Sequence, residues 1–466
     1  MYTTIDLCAG IGGIRTGFTM TGQFKNVLSA EIDADARRTY EHLYGEVPRC
    51  DLTNTKFKNE AASLGFDVML AGFPCQTFSA VGLKAGFDDP NKGVIFDHLM
   101  NLLVRCQHAG HRPKAIFLEN VEYLLSHDDG KTINIILDRI ALMRYRVVGN
   151  VHKVKMEDGT EEWVGMRKAF LRNSKYFGVP QNRPRVYIMA FDERYFGDAL
   201  GAIAGKELPV SGMGPGWMDV NSILEKDVSK VDDKFYLARG YLETLERHRA
   251  RHADSKKKIH NGFGYVVVND PRKDSGRCIS NTILATGGSG KECNLVRQLK
   301  PGLNTTTRIH GKKTPLNNKG VRMMMPEEWG RLQGFIGYAF KDKNGNDQFS
   351  FPSGMSDAQK YKQFGNSVTI PVIKRMAEFM LECFDAMRPD AWDNRVLGFV
   401  RKYKRTTRNQ LAEFLGIGKG ECSRVIKRLV NEKKLLQNGS CRGTFYTLCS
   451  GGGLRNRVWM SWLILW

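Results

Sequence analysis

The sequence predicts an α/β protein: a doubly wound, mostly parallel sheet with an inserted, mostly β region and a small C-terminal winged-helix-like unit. Three observations predict it. Apolar runs of strand length alternate with stretches of helical period as far as residue 191. The first of those runs feeds a glycine-rich turn that opens a helix. Composition then changes twice, at Asp192 and again at Pro389.

Thr3–Ala9 reads as a strand, Gly10-Ile11-Gly12-Gly13 as a tight turn, and Ile14–Phe18 as the start of a helix. Such a unit cradles nucleotides in doubly wound folds, with Gly10 and Gly12 in the turn. The spacing departs from the dinucleotide fingerprint, because the third glycine is Gly13 and Arg15 takes the expected place. A pyrophosphate is therefore not implied, whereas a nucleoside is allowed. Asn26–Ala30 is a second strand ending in Glu31-Ile32-Asp33. An acidic residue about 20 positions after the first glycine suits a ribose diol. Glu31 holds that place, with a helix cap as the alternative. Asp51 follows one unit later, as acceptor for an adenine amino group or as a turn cap.

Val68–Ala71 is a buried strand that runs into Gly72-Phe73-Pro74-Cys75-Gln76-Thr77-Phe78-Ser79. A strand ending in Gly and Pro delivers the next side chain to an exposed loop. That side chain is the Cys75 thiol. The loop up to Gly93 has few large apolar residues, which predicts a closing lid with Cys75 as its nucleophile. The alternative for any single cysteine is a small buried hydrophobe. Val94–Cys106 has helical period. Ala115–Leu118 is a further strand, ending in Glu119, and carboxyl ends of such strands face the ligand crevice. Thr132–Met143 is a helix. In the strand Arg183–Met189, period-2 geometry puts Arg183 and Arg185 on one face. Two guanidiniums aimed at one place clamp an anion or a carbonyl; two surface arginines are the alternative.

From Asp192 to Val321 the alternation fades. Lys256-Lys257-Lys258 forms a basic run, and 262–269 and 278–285 read as β-hairpin material. Arg322–Phe335 returns to helical period, and a helix follows from Pro371 to about Met387. Pro389 reads as a linker. Helices over 393–404, 407–415 and 421–433 and a hairpin over 435–448 make a winged-helix arrangement that reads DNA or docks a protein. Gly451–Trp466 is a tryptophan-rich tail, either docked on the core or non-native.

The charge balance points to a polyanionic partner: 70 Lys and Arg against 49 Asp and Glu, a net +21. The excess is local, with +7 in 192–321 and +11 in 392–466. The ten cysteines form no Cys-x-x-Cys pair and no metal-spaced cluster, so no metal is implied. No signal peptide and no membrane-length apolar run is read, so a reducing cytoplasm is expected.

Six blocks stand in fixed order within 1–191 and 322–385: DLCAGIGG, GFPCQTFS, ENV, QNRPR, RLQGF and QFGNSV. Together they resemble the DNA (cytosine-5) methyltransferase family of restriction–modification type. The resemblance implies a Rossmann-like methyltransferase domain over 1–191 and 322–388 and a target-recognition region over 192–321. It leaves 392–449 and the tail 450–466 outside. It implies Cys75 as catalytic thiolate, Glu119 as assisting carboxyl, and Arg183 and Arg185 as the arginine pair. S-adenosyl-L-methionine as methyl donor would be contacted from Phe18, Gly10, Gly12, Glu31, Asp51, Pro74 and Ile95, with Asn366 and Val368 opposite. A thiolate adding at carbon 6 of cytosine makes carbon 5 nucleophilic, and the base must leave the duplex first. The implied partner is duplex DNA, methylated at a specific site and so protected from a cognate restriction endonuclease, by a monomer in a bacterial or phage setting. Thr282, Ile283 and Arg277 are candidate recognition residues. An RNA cytosine-5 methyltransferase (acting on transfer RNA) and a methylase that also regulates through 392–449 are the other readings.

Overall fold

The strand-length apolar runs form one seven-stranded sheet. The computed structural model describes residues 1–74, 95–157, 159–251, 266–270, 278–286, 294–302, 306–309, 312–415, 419–439 and 444–449. Up to residue 192 the elements are β1 (Tyr2–Leu7), α1 (Gly13–Thr19), β2 (Phe24–Ala30), α2 (Ala34–Tyr44), α3 (Thr55–Leu64), β3 (Val68–Gly72), α4 (Ile95–His108), β4 (Ala115–Val121), α5 (Lys131–Leu142), β5 (Tyr145–Val147), the hairpin β6 (His152–Lys155) and β7 (Glu161–Val164), α6 (Met166–Phe170), β8 (Leu171–Asn173), β9 (Gln181–Asn182) and β10 (Pro184–Asp192). The sheet order is β2-β1-β3-β4-β10-β5, with β8 pairing β10 off this path. The first four strands are parallel, and β10 is antiparallel to both its neighbours.

β3 and β4 are buried on both faces, so Val68–Ala71 and Ala115–Leu118 are unbroken apolar runs rather than alternating ones. Ile116 and Leu118 face a core filled by Leu99, Leu103, Ile133 and Ile136 of α4 and α5. Phe117, between them, turns to the other face, where its ring centre lies 5.2 Å from that of Phe18 in α1. Each such side chain contributes roughly 1.5–3 kcal/mol on burial. The chain leaves β1 for β2 on one side and returns to β3 on the other. That reversal opens a crevice beyond the carboxyl ends of the strands. Because β10 runs against β4, its amino end, with Pro184 and Arg185, meets the same edge.

The backbone divides into two units, Met1–Tyr195 with Gly205–Met380 and Phe196–Ala204 with Leu381–Trp466. Beyond β10 come α7 (Glu193–Phe196), α8 (Arg239–Arg251), β11 (Ser280–Asn281), β12 (Leu295–Arg297), β13 (Thr306–Ile309), β14 (Lys312–Pro315) and β15 (Val321–Met323). The hairpin expected of 278–285 is replaced by a parallel pairing of β11 with β9. Gln181 in β9 supplies the reason, since its side-chain oxygen accepts from the Ile283 backbone N–H at 3.2 Å. Residues 262–265 lie outside the described residues. The helix expected from Arg322 starts only at Pro326, because Val321–Met323 pairs with β12 and Pro326 opens the helix. α9 (Pro326–Gln333), α10 (Asp357–Asn366) and α11 (Ile370–Ala386) follow. Val220, Phe235, Val296 and Leu316 of the insertion share one core with Trp329, Leu332 and Phe364 of α9 and α10.

The second unit contains α12 (Pro389–Tyr403), α13 (Arg408–Leu415), α14 (Lys419–Asn431), β16 (Leu435–Asn438) and β17 (Phe445–Leu448). Pro389 is the first turn of α12 and not a linker; at that position its missing N–H has no intrahelical partner to lose. Thr406, between α12 and α13, bridges Tyr446 of β17. Trp392, Val396, Leu411, Val425, Leu429 and Tyr446 form the core of this unit. The tail Gly451–Trp466 lies outside the described residues.

Candidate active site

The glycine turn after β1 forms one wall of the crevice. Gly12 has φ +79°, a conformation that glycine adopts without a side-chain clash. The Gly10 N–H donates to Glu31 Oε2 at 2.7 Å, and the Asp33 N–H donates to Glu31 Oε1 at 2.8 Å. Glu31 therefore ties the turn to the end of β2. The cap of α2 is Asp33, which accepts from the Ala36 N–H at 2.9 Å. Asp51 stands beside the same strand end, because Arg49 N–H donates to Ser29 O and Glu31 N–H to Arg49 O, both at 2.8 Å. Its Oδ1 accepts from the Thr53 N–H and hydroxyl, so one oxygen caps a turn.

The opposite wall is the segment after α10. A Cβ added to Gly13 would lie 2.8 Å from both Ser367 Oγ and Val368 Cγ2, closer than real contacts allow. The glycine turn is thus packed directly on Ser367-Val368. Asn366 is exposed at the end of α10, Pro74 is exposed beyond β3, and Ile95 is half-buried at the start of α4. Phe18 corrects the expectation. It has no exposed surface, and its ring is wedged between Phe24 at 5.0 Å and Phe117 at 5.2 Å. It is a core residue and not a wall of the crevice. The residue of this stretch at the strand end is Cys8, half-buried with φ +55°. Burial, and then the Glu31 and Asp6 carboxylates, push its thiol up to about 12, so it stays protonated and is no nucleophile.

The chemistry-bearing edge lies between β3, β4 and β10. Gly72 pairs with Glu119 across β3 and β4. Arg185 Nε lies 3.3 Å from Glu119 Oε1, and both side chains are almost fully buried. Burial raises the Glu119 carboxyl above its usual range, against the opposing pull of the Arg185 and Arg183 guanidiniums. Asn120 Nδ2 donates to Phe73 O at 2.9 Å, fixing the chain just beyond β3. Cys75, two residues after Phe73, lies outside the described residues.

Arg183 behaves differently from Arg185. It precedes the strand, which begins at Pro184, and its guanidinium is turned into the protein. Nη1 donates to Ile283 O at 2.8 Å, and Nη2 donates to Gly365 O at 2.9 Å and Ser367 O at 2.6 Å. The expected two-arginine clamp is therefore corrected to one arginine beside Glu119 and one bound to three backbone carbonyls. Gln333 completes this web, donating to Phe364 O and Ser367 O while accepting from Thr369 Oγ1 at 2.7 Å. A Cβ on Gly365 would lie 2.3 Å from the Leu284 carbonyl carbon, so the 283–285 backbone is pressed against this segment. Ile283 is fully buried and is not a base reader, and the Thr282 hydroxyl donates to Asn182 O. Arg277 lies outside the described residues. Sequence reasoning missed Gln333, Gln181 and Asn120. They stand within the ENV, QNRPR and RLQGF blocks, whose fixed order was the one signal for them.

Residues 2–382 match the family of C-5 cytosine-specific DNA methylases. The chain belongs to that family. This DNA cytosine methyltransferase is 36% identical over 384 residues to the Type II methyltransferase M.HpaII of Haemophilus parainfluenzae, covering 82% of this chain and 89% of that one. It is 33% identical to the Type II methyltransferase M1.ScrFI of Lactococcus lactis subsp. cremoris, covering 82% and 79%. In fold the methyltransferase is similar to the Entamoeba histolytica methyltransferase EhMeth (TM-score 0.52, 17% identity, 83% of this chain and 99% of that one). The S. pombe Dnmt2 methyltransferase gives a TM-score of 0.51 at 15% identity, over 82% and 99%. The sequence match ends at residue 382, before α12 of the methyltransferase.

Proposed function

We propose that this methyltransferase moves a methyl group from S-adenosyl-L-methionine to carbon 5 of a cytosine in a specific duplex DNA site, through a transient bond from Cys75. The observation that carries the reading is the register of Gly72 against Glu119, with Arg185 3.3 Å from that carboxyl. It brings the strand end that leads to Cys75 beside a buried acid.

In this reading 1–191 and 322–388 carry the chemistry, 192–321 read the target, and 392–449 form an added winged-helix unit. The crevice residues fit an adenosyl group. Glu31 offers a carboxylate to a diol, Asp51 has a second oxygen to accept from an amino group, and Gly10, Gly12, Pro74, Ile95, Asn366 and Val368 supply the walls. When bound, S-adenosyl-L-methionine supplies an electrophilic methyl group on a positively charged sulfur. Cys75 adds as thiolate to carbon 6, and the ring electrons shift toward carbon 5 and N3. Glu119, whose carboxyl burial shifts toward the protonated form, donates a proton to N3 as charge develops there. Arg185 orients Glu119 and donates to the ring's O2. Arg183 acts through backbone, holding Gly365 and Ser367 in place. Once carbon 5 carries the methyl group, its proton passes to water, the freed electron pair expels the Cys75 thiolate from carbon 6, and N3 returns its proton to Glu119, which restores the aromatic ring. The target must be flipped from the duplex, at a cost of a few kcal/mol. The basic insertion compensates by holding backbone phosphates.

In this reading a monomer in the cytoplasm has a protective role at the target of a cognate endonuclease; the Type II methyltransferase relatives support the protective role alone. No described helix is long and apolar enough to cross a membrane. The test is transfer of labelled methyl groups to duplex DNA and to transfer RNA. Duplex DNA should be methylated and Cys75→Ser should abolish transfer. Transfer that survives Cys75→Ser, or a preference for transfer RNA, overturns the reading.

A further inference from the structure

The second unit lies mostly beyond the family match, and its order of elements is α12, the Thr406 strand position, α13, α14 and the β16–β17 ribbon. That is the order of a winged helix, in which the second helix of the helix–turn–helix pair enters a groove of DNA. In α14, Cys422, Val425, Ile426 and Leu429 face the core of the unit. Their spacing leaves the other side of the helix to solvent. Lys419, Arg424 and Lys427 are exposed there, with Ser423 half-buried beside them. Arg428 is excluded from this face, because Asp393 holds it by two hydrogen bonds of 3.1 and 2.5 Å. The stretch 392–466 has 15 Lys and Arg against 4 Asp and Glu.

Among the described residues, one acid is seen to pair with this face. Asp198 comes from the 196–204 segment, which belongs to the same unit although it lies far away in sequence. It pairs with Arg424, and both side chains are more than half exposed, at 54% and 72%. An ion pair this exposed is weak, so a DNA phosphate can displace the carboxylate.

We propose that the second unit is a separate duplex-DNA-binding module that grips phosphates through Lys419, Arg424 and Lys427 of α14, and that Asp198 competes with DNA for Arg424. The charge of the face and the groove-entering geometry select duplex DNA over a protein partner. The module does not depend on the methyl-transfer chemistry, which the other unit carries.

The test uses the full chain and a fluorescent alternating A·T duplex of about 30 base pairs, which contains no cytosine. Anisotropy titrations run from 50 to 200 mM salt. A Lys419→Glu/Lys427→Glu double variant should bind at least ~10-fold more weakly, with a salt slope smaller by about 1.8, near 0.9 for each phosphate no longer neutralised. Asp198→Ala should bind ~2–5-fold more tightly, as removing a competing anion frees Arg424 for one more phosphate. Methyl transfer to a short cytosine-containing duplex should be unchanged in both. Wild-type affinity and slope in the double variant overturn the module and leave a protein-docking face. Unchanged or weaker binding by Asp198→Ala overturns the competition. If the wild-type chain transfers no methyl groups yet these shifts appear, the methylation reading fails and this one stands.

Discussion

Glu119 and Arg185 meet across β4 and β10 with Oε1 and Nε 3.3 Å apart, although the backbone register pairs Glu119 with Tyr187 and Arg185 with Val121. The guanidinium reaches diagonally to its acid. It pulls the carboxyl's pKa down, while burial, the larger effect, pushes it up.

Activity should therefore fall on the alkaline side as Glu119 loses its proton. Glu119→Gln should cost about 10²–10⁴-fold in kcat and remove the part of that alkaline limb that Glu119 causes. Arg185→Ala also lowers kcat but leaves Glu119 with less opposing charge, so the limb moves to higher pH. A pH–rate profile of both variants measures this. A limb that moves to lower pH in Arg185→Ala contradicts the assignment.

Arg183 predicts a loss of stability more than of chemistry. Removing it orphans the Ile283, Gly365 and Ser367 carbonyls inside the protein. Arg183→Ala should cost roughly 3–5 kcal/mol in urea unfolding. Lys should rescue little, since one ammonium lacks the planar fork that spans three acceptors. Full rescue by Lys would show that charge alone matters there.

The ion pair of Arg322 with Glu328 has no exposed side-chain surface, with N–O distances of 2.6 and 2.8 Å. Glu328 also accepts from the Met325 N–H at 2.7 Å, capping α9. Glu328→Ala leaves a buried guanidinium uncompensated and should cost about 3–5 kcal/mol. Calorimetry of the variant measures it, and a change below about 1 kcal/mol would contradict the burial argument.

Asp6 predicts a pH dependence of stability. Both its oxygens are buried, and burial raises its pKa from 3.8 to about 8 against the weaker opposing pull of Arg15. Between those values the folded chain holds a proton that the unfolded chain has released. Stability from this group is therefore complete below about pH 4 and is lost as pH rises to about 8, at up to ~1.4 kcal/mol per pH unit. Asp6→Asn should remove that slope. Thermal melts of both proteins from pH 5 to pH 9 should converge at low pH and diverge at high pH in the variant's favour.

Much of this was legible in the chain because burial on both faces leaves unbroken apolar runs. Val68–Ala71 and Ala115–Leu118 could be read as strands for that reason, with Glu119 at the carboxyl end of the second, as Glu31 is at that of β2. Proline misled once, since Pro389 opens a helix where a linker was expected. A proline suits a first turn as well as a linker, and only the flanking backbone distinguishes them.

Local pattern determined the strand order of types, the glycine turn, the acid at each strand end and the three helices of the second unit. These depend on neighbours one to four residues apart. What only tertiary structure decided was partnership across long separations. Phe18 is core because Phe117 covers it, and Arg183 is a strut because Ile283, Gly365 and Ser367 turn their carbonyls toward it. Asp198 belongs with Arg424 because folding joins segments more than two hundred residues apart. Such partnerships depend on where a distant backbone passes, and side-chain type at one position carries no record of that.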